Sequence, residues 1–202
     1  GGLSGGISAS IAGGNFWAGV RQGLITSGLN HVAHSVNRLI EKSKYVVAGI
    51  YGAGGESAGE NPVLKEIVDN EGGKMFTSSL GGGDSEIMEY LENGYEKGKK
   101  IKIYGYSRGG NAAIRITNML GDKGIYVSQL ITFDAHHFWG GTFKLKYRVG
   151  NVVNFYQKNL RSGGIYGWWG RNPYNGSSIN GGGAYNVNYT GLKNVTHVNI
   201  IR

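Results

Sequence analysis

The strand-like run Lys100-Ile101-Lys102-Ile103-Tyr104 passes straight into Gly105-Tyr106-Ser107-Arg108-Gly109-Gly110, and the helix-like run from Asn111 to Leu120 follows at once. No other part of the chain constrains the fold as much. A strand that bends directly into a helix leaves no room for side chains at the flanks of the bend, and glycines there let the two backbones pack closely. The residue between them, Ser107, then stands with its hydroxyl at the tip of an elbow. A Gly-x-Ser-x-Gly pentapeptide alone is a weak signal; between a strand and a helix it makes Ser107 a candidate nucleophile.

A serine nucleophile requires a base, and the base an orienting acid. On α/β-hydrolase scaffolds the chain order is serine, acid, histidine, so both partners are sought after Ser107. Only Asp122 and Asp134 are acidic in that part of the chain. Asp122 lies in Gly121-Asp122-Lys123-Gly124, which reads as a solvated turn. Asp134 ends the run Val127-Ser128-Gln129-Leu130-Ile131-Thr132-Phe133, where the carboxyl end of a buried parallel strand would bring it beside the serine. Asp134 is therefore the expected acid.

Three histidines follow the serine: His136, His137 and His197. The first two share the short loop of Asp134, from which the correct geometry at the serine is uncommon. His197, in Asn194-Val195-Thr196-His197-Val198-Asn199-Ile200, lies near the chain end, where the last loop of such a fold carries its base. His197 is the expected base; the His136–His137 pair and a purely structural role for His197 are the alternatives.

Acyl transfer also needs donors for the oxyanion. One is expected from the backbone N–H of Arg108. The other is expected from Gly52 and Ala53, where the apolar run Tyr45 to Tyr51 enters Gly52-Ala53-Gly54-Gly55 and main-chain N–H groups can approach a ligand unobstructed. A phosphate-cradling dinucleotide loop is the competing reading, but the Gly-x-Gly-x-x-Gly spacing is missing.

Around these motifs the pattern is regular: strand 45–51, helix 62–70, strand 74–78, helix 84–97, strand 101–106, helix 108–120, and strands 126–134 and 150–156. Strands alternating with helices predict an α/β fold, a mostly parallel sheet flanked by helices as in the α/β-hydrolases. Residues 1–43 read differently, as a Gly-rich and helical linker or packing arm, and 44–202 as the globular domain. Glycine makes up 38 of 202 residues, about 19 % against a usual ~7 %. It clusters within 1–14 and 163–183, which are expected to be loop-rich.

The net charge of +8 is unevenly placed. Residues 135–202 contain Lys144, Lys146, Arg148, Lys158, Arg161, Arg171, Lys193 and Arg202 and no acidic side chain. Such a surface draws anions, whether phospholipid headgroups, an acidic protein or nucleic acid. The absence of cysteine excludes a disulfide framework and a thiolate metal site. His31 and His34 have metal-pair spacing but lack a nearby carboxylate or thiolate beyond Glu41, so no metal and no cofactor is expected. The first residue is glycine, and a piece of a longer polypeptide is expected.

Gly105 to Gly110, Leu130-Ile131-Thr132-Phe133-Asp134, Asn151-Val152-Val153-Asn154-Phe155-Tyr156-Gln157 and His197-Val198-Asn199 together resemble lipase-like α/β-hydrolase toxin domains. Residues 1–36, notably Gly13-Gly14-Asn15-Phe16-Trp17 and Gly28-Leu29-Asn30-His31-Val32-Ala33-His34, resemble the linker of Rhs-type polymorphic toxins. The resemblance implies an effector delivered between bacteria, often by type VI secretion, that attacks phospholipid in the periplasm or at the membrane surface of the target cell. It further implies a cognate immunity protein, expected here to be acidic, and no nucleic-acid partner. Arg108 departs from the small apolar residue that commonly follows the nucleophile in lipases, which argues against simple triglyceride hydrolysis. The aromatic Gly/Trp-rich stretch around Trp168 and Trp169 is expected either to grip an acyl chain or to fold over the sheet.

Two rival functions are carried forward. Asp134-Ala135-His136-His137 with the basic C-terminal third fits a metal-dependent nuclease toxin. A hydrolase fold without turnover would serve as a binding module.

Overall fold

Val46 to Ile50, Ile101 to Tyr106 and Val127 to Phe133 are largely apolar at successive positions, as strands covered on both faces must be. The computed structural model describes residues 34–35, 39–53, 61–78, 82–137, 141–159 and 175–201. The chain divides into two units, Gly1–Ser43 and Lys44–Arg202. In the first, residues 34–35 and 39–43 are helical and His34 is exposed; His31 and most of the linker lie outside the described residues.

In the second unit the strands are β1 (Tyr45–Ile50), β2 (Lys74–Phe76), β3 (Lys100–Tyr106), β4 (Val127–Phe133), β5 (Phe143–Leu145), β6 (Asn151–Tyr156), β7 (Ile179–Gly181) and β8 (Ala184–Asn188). The helices are α1 (Pro62–Asn70), α2 (Asp84–Glu96) and α3 (Arg108–Asp122). Six strands form one sheet in the order β2-β1-β3-β4-β6-β8, with every neighbouring pair parallel. The small strands β5 and β7 pair separately, also in parallel. The protein therefore has an α/β fold with a parallel sheet flanked by helices, as the alternating pattern predicts.

Each face of the sheet is closed by its own apolar cluster. Val46, Ala48, Ile50, Ile101 and Ile103 pack with Ile87 and Leu91 of α2 and with Ala113 and Ile116 of α3. The alternate residues Val47, Tyr104 and Tyr106 pack with Leu64 and Val68 of α1 and with Ile201 near the chain end. Full burial of a leucine or isoleucine contributes roughly 1.5–3 kcal/mol, so the two clusters hold the three helices on the sheet. Helix α1 starts where its sequence directs: Asn61 Oδ1 accepts the N–H of Leu64 at 3.1 Å, and Pro62 occupies the first turn.

Strands β5, β7 and β8 are additions to the sequence reading, which placed no strand between 134 and 150 or after 156. The alternation of Tyr185, Val187 and Tyr189 with Asn186 and Asn188 was a legible strand signal. A buried amide ladder covers the polar positions: Thr132 Oγ1 donates to Asn154 Oδ1 at 2.7 Å, and Asn154 Nδ2 donates to Asn186 Oδ1 at 2.8 Å. Asn186 in turn bonds both the N–H and the carbonyl of Ile179. Asparagine depresses strand propensity when exposed, yet here it joins β4, β6, β7 and β8 with its polar atoms satisfied.

Candidate active site

Parallel strands end at the same edge, and the register brings three of these ends into one row: Tyr106 lies opposite Phe133, and Phe133 opposite Phe155. The next residues of β3 and β4 are Ser107 and Asp134. Among the described residues these are the two non-glycine positions with positive φ, 56° at Ser107 and 49° at Asp134. Such backbone costs of order 1–3 kcal/mol and persists where the surroundings over-determine it, often at functional sites. At Ser107 the determinants are visible. Its N–H donates to Phe133 O at 2.9 Å, and its carbonyl accepts from Gly110, Asn111 and His136. A Cβ on Gly109 would collide with the carbonyls of Ile50 and Tyr51, and one on Gly105 with the backbone of Gly109. The elbow glycines are thus required by close packing of α3 against β1 and β3.

Ser107, Asp134 and His197 meet. His197 Nε2 lies 2.9 Å from Ser107 Oγ, and His197 Nδ1 lies 2.6 Å from Asp134 Oδ2. A carboxylate only accepts, so the proton of a neutral His197 resides on Nδ1, which leaves Nε2 to accept the Ser107 hydroxyl proton. Asp134 is fully buried and Ser107 is 7 % exposed. The carboxylate also accepts the backbone N–H of Gln157 at 3.0 Å on Oδ1 and the side-chain amide of Gln157 at 2.7 Å on Oδ2. Gly176 presses against it so closely that a Cβ there would overlap Oδ1.

Tyr106 holds the histidine from its flank. Its ring stacks on the imidazole with centroids 5.1 Å apart, and its hydroxyl donates to His197 O at 2.8 Å. Burial, with the charge of Asp134 adding to it, pushes the Tyr106 phenol up to about 12. The hydroxyl therefore stays protonated and keeps its bond throughout the neutral range.

The other expected site residues are placed as follows. Arg108 opens α3 with its side chain exposed; its N–H, at the first helical position, has no intrahelical carbonyl to bond. Gly52 is buried and Ala53 exposed in the turn after β1, beside the segment Ile50–Tyr51 on which Gly109 packs. The His136 ring is engaged elsewhere: its Nδ1 donates to Asn175 O at 3.3 Å. Burial holds His136 below the usual histidine range, and the nearby His197 and Arg108 act in the same direction, against the opposing Asn175 carbonyl and Asp134. Asp134 and His136 thus face different partners, and among the described residues no three His, Asp or Glu side chains converge as a metal set. The Trp168–Trp169 stretch lies outside the described residues.

Sequence reasoning missed Tyr106, Gln157 and Gly176. Tyr106 is the variable position of the pentapeptide, and Gln157 ends a run noted only for its resemblance. No periodicity marks either, because their roles depend on contacts between distant strands.

No family model and no curated protein matches the chain. Among solved structures, the chain is similar to a YdeN-like protein of Pectobacterium atrosepticum named as an inferred hydrolase, at 12 % identity and a TM-score of 0.42, over 76 % of this chain and 81 % of that one.

Proposed function

We propose that this protein is a serine ester hydrolase acting on lipids, a phospholipase-type antibacterial toxin. The observation that carries the reading is the continuous chain of hydrogen bonds from Ser107 Oγ through both nitrogens of His197 to buried Asp134. In the proposed reaction His197 Nε2 takes the hydroxyl proton as Ser107 Oγ attacks the ester carbonyl. Asp134 stabilises the resulting imidazolium. The N–H of Arg108 and those of Gly52 and Ala53 receive the oxyanion. Collapse of the tetrahedral adduct breaks the ester C–O bond, the alcohol leaves with the proton from His197, and an acyl-serine remains. Water, deprotonated by His197, then releases the fatty acid and restores Ser107.

Arg108 supports an anionic substrate. Arg108 is exposed and directly follows the nucleophile in the chain. A phosphate or carboxylate near the scissile ester suits that position. The resemblance to Rhs-type toxin domains extends the reading to delivery into a rival bacterium, action at its membrane surface or periplasm, and neutralisation by an acidic immunity protein.

Fluorophosphonate labelling, with the modified residue located by mass spectrometry, tests the core of this reading. Labelling at Ser107 that disappears in Ser107→Ala is expected, with fatty-acid release from phospholipid vesicles by the unmutated chain alone. A folded chain that neither labels nor releases fatty acid would sink it.

A further inference from the structure

We infer that Gln157 and Asn159 are positioning residues that hold the acid and the base in one register. The inference rests on the ester-hydrolase reading above, although neither residue touches the reacting atoms. From Tyr189 to Ile201 the chain forms turns, with no helix or strand to hold His197 in place. Besides Tyr106 on His197 O and Asn199 on Thr196 N and Asn194 O, the Asn159 side chain gathers this segment. Asn159 Nδ2 lies 2.8 Å from Val195 O and 3.2 Å from the carbonyls of both Tyr189 and Leu192, while Asn159 Oδ1 accepts the N–H of Gly191 at 2.7 Å. An amide has two N–H groups, so Val195, two residues before His197, takes the short bond and the other two carbonyls share the second.

Asn159 is tied in turn to the acid. Its backbone N–H donates to Gln157 Oε1 at 2.6 Å, and Gln157 Nε2 donates to Asp134 Oδ2 at 2.7 Å. The two contacts fix the Gln157 amide in one orientation, since only its nitrogen can face the carboxylate and only its oxygen the N–H. Asp134 Oδ2 then accepts His197 Nδ1, which closes a ring: Asp134, Gln157, Asn159, the Val195 carbonyl, the chain to His197, and Asp134 again. Gln157 is 1 % exposed, so water does not readily replace its bonds. A shift of either amide therefore moves the imidazole relative to both serine and carboxylate, and displacements near 1 Å cost on the order of 100-fold in rate.

The test compares Asn159→Asp and Gln157→Met with Asn186→Ala. Both site variants are close in size to the native residues but lose the donor. Asn186 is also a multiply bonded asparagine, yet its partners are Asn154 and Ile179, away from the histidine segment. On a small neutral ester the site variants are expected to lose about 10–100-fold in kcat with KM within about twofold. Asn186→Ala is expected to lower the melting temperature while keeping turnover per folded molecule. The downfield Nδ1 proton resonance of His197, assigned with His197→Ala, gives a readout independent of turnover. It should broaden or shift in Asn159→Asp and Gln157→Met and persist in Asn186→Ala.

Site variants that keep both kcat and the resonance, losing only stability, would overturn the inference. If the unmutated chain turns over no ester, the hydrolase reading fails and the resonance alone decides the positioning role. Selective loss of the resonance then supports that role, and its retention in both site variants overturns it.

Discussion

His197 Nε2 lies 2.9 Å from Ser107 Oγ although the two residues are 90 positions apart in the chain. The contact follows from strand order. Ser107 follows β3, Asp134 follows β4, Gln157 follows β6 and His197 lies beyond β8; all four strands are parallel and end at one edge. Neighbouring strands lie about 4.8 Å apart, a spacing that side chains from adjacent strand ends can bridge by hydrogen bonds.

The backbone at Ser107, with φ 56° and ψ −119°, suits glycine better than any residue with a Cβ. Ser107→Gly and Ser107→Ala should both abolish ester turnover. Chemical denaturation should find the glycine variant more stable than the alanine variant by about 1 kcal/mol, the strain released net of glycine's added unfolded-state entropy. Equal stabilities would mean that the elbow is unstrained.

Gly176 has no positive φ, so alanine there meets no left-handed backbone penalty, but its Cβ would overlap Asp134 Oδ1 and crowd Tyr156 Cβ. Gly176→Ala should destabilise by roughly 1–3 kcal/mol and displace the carboxylate from Gln157 and His197. Turnover at saturating substrate should fall at least ~10-fold. Thermal melts and kcat measured together check this; full activity would show that the 175–177 segment yields without disturbing the acid.

Arg108→Gln keeps a backbone N–H for the oxyanion but removes the cation. The ratio of kcat/KM for an anionic phospholipid to that for a neutral ester should fall about 10-fold, as expected for loss of one charge-assisted contact. A ratio unchanged by the substitution would remove Arg108 from substrate selection.

The lowered folded-state value of His136 makes stability depend on pH in a defined direction. The unfolded chain, with histidine near ~6.5, binds the proton more readily than the folded one. The contribution is fully present above that value and is lost as pH falls through the folded value. Between about pH 8 and pH 5, urea midpoints of the unmutated chain should drop more steeply than those of His136→Gln. Parallel curves would show that His136 titrates alike in both states.

Much of this was legible in the sequence because it depends on local chemistry. The elbow glycines, the apolar strands, the helix start at Pro62 and the shortage of acids after Ser107 each constrain a short stretch of chain or a simple count. Ser107, Asp134 and His197 were singled out in this way, and the structure brings their side chains within hydrogen-bond distance. Tertiary structure alone decided what surrounds them. That Gln157 and Gly176 bear on Asp134, that Tyr106 stacks on His197, and that Asn159 gathers the turns after β8 all follow from placing β6 beside β4 and β8 beside β6. An asparagine or glycine reads as turn material in sequence because its local preferences are all that a linear pattern expresses; only packing across parallel strand ends sets Gly176 against a buried carboxylate and makes Asn159 an anchor of the histidine segment.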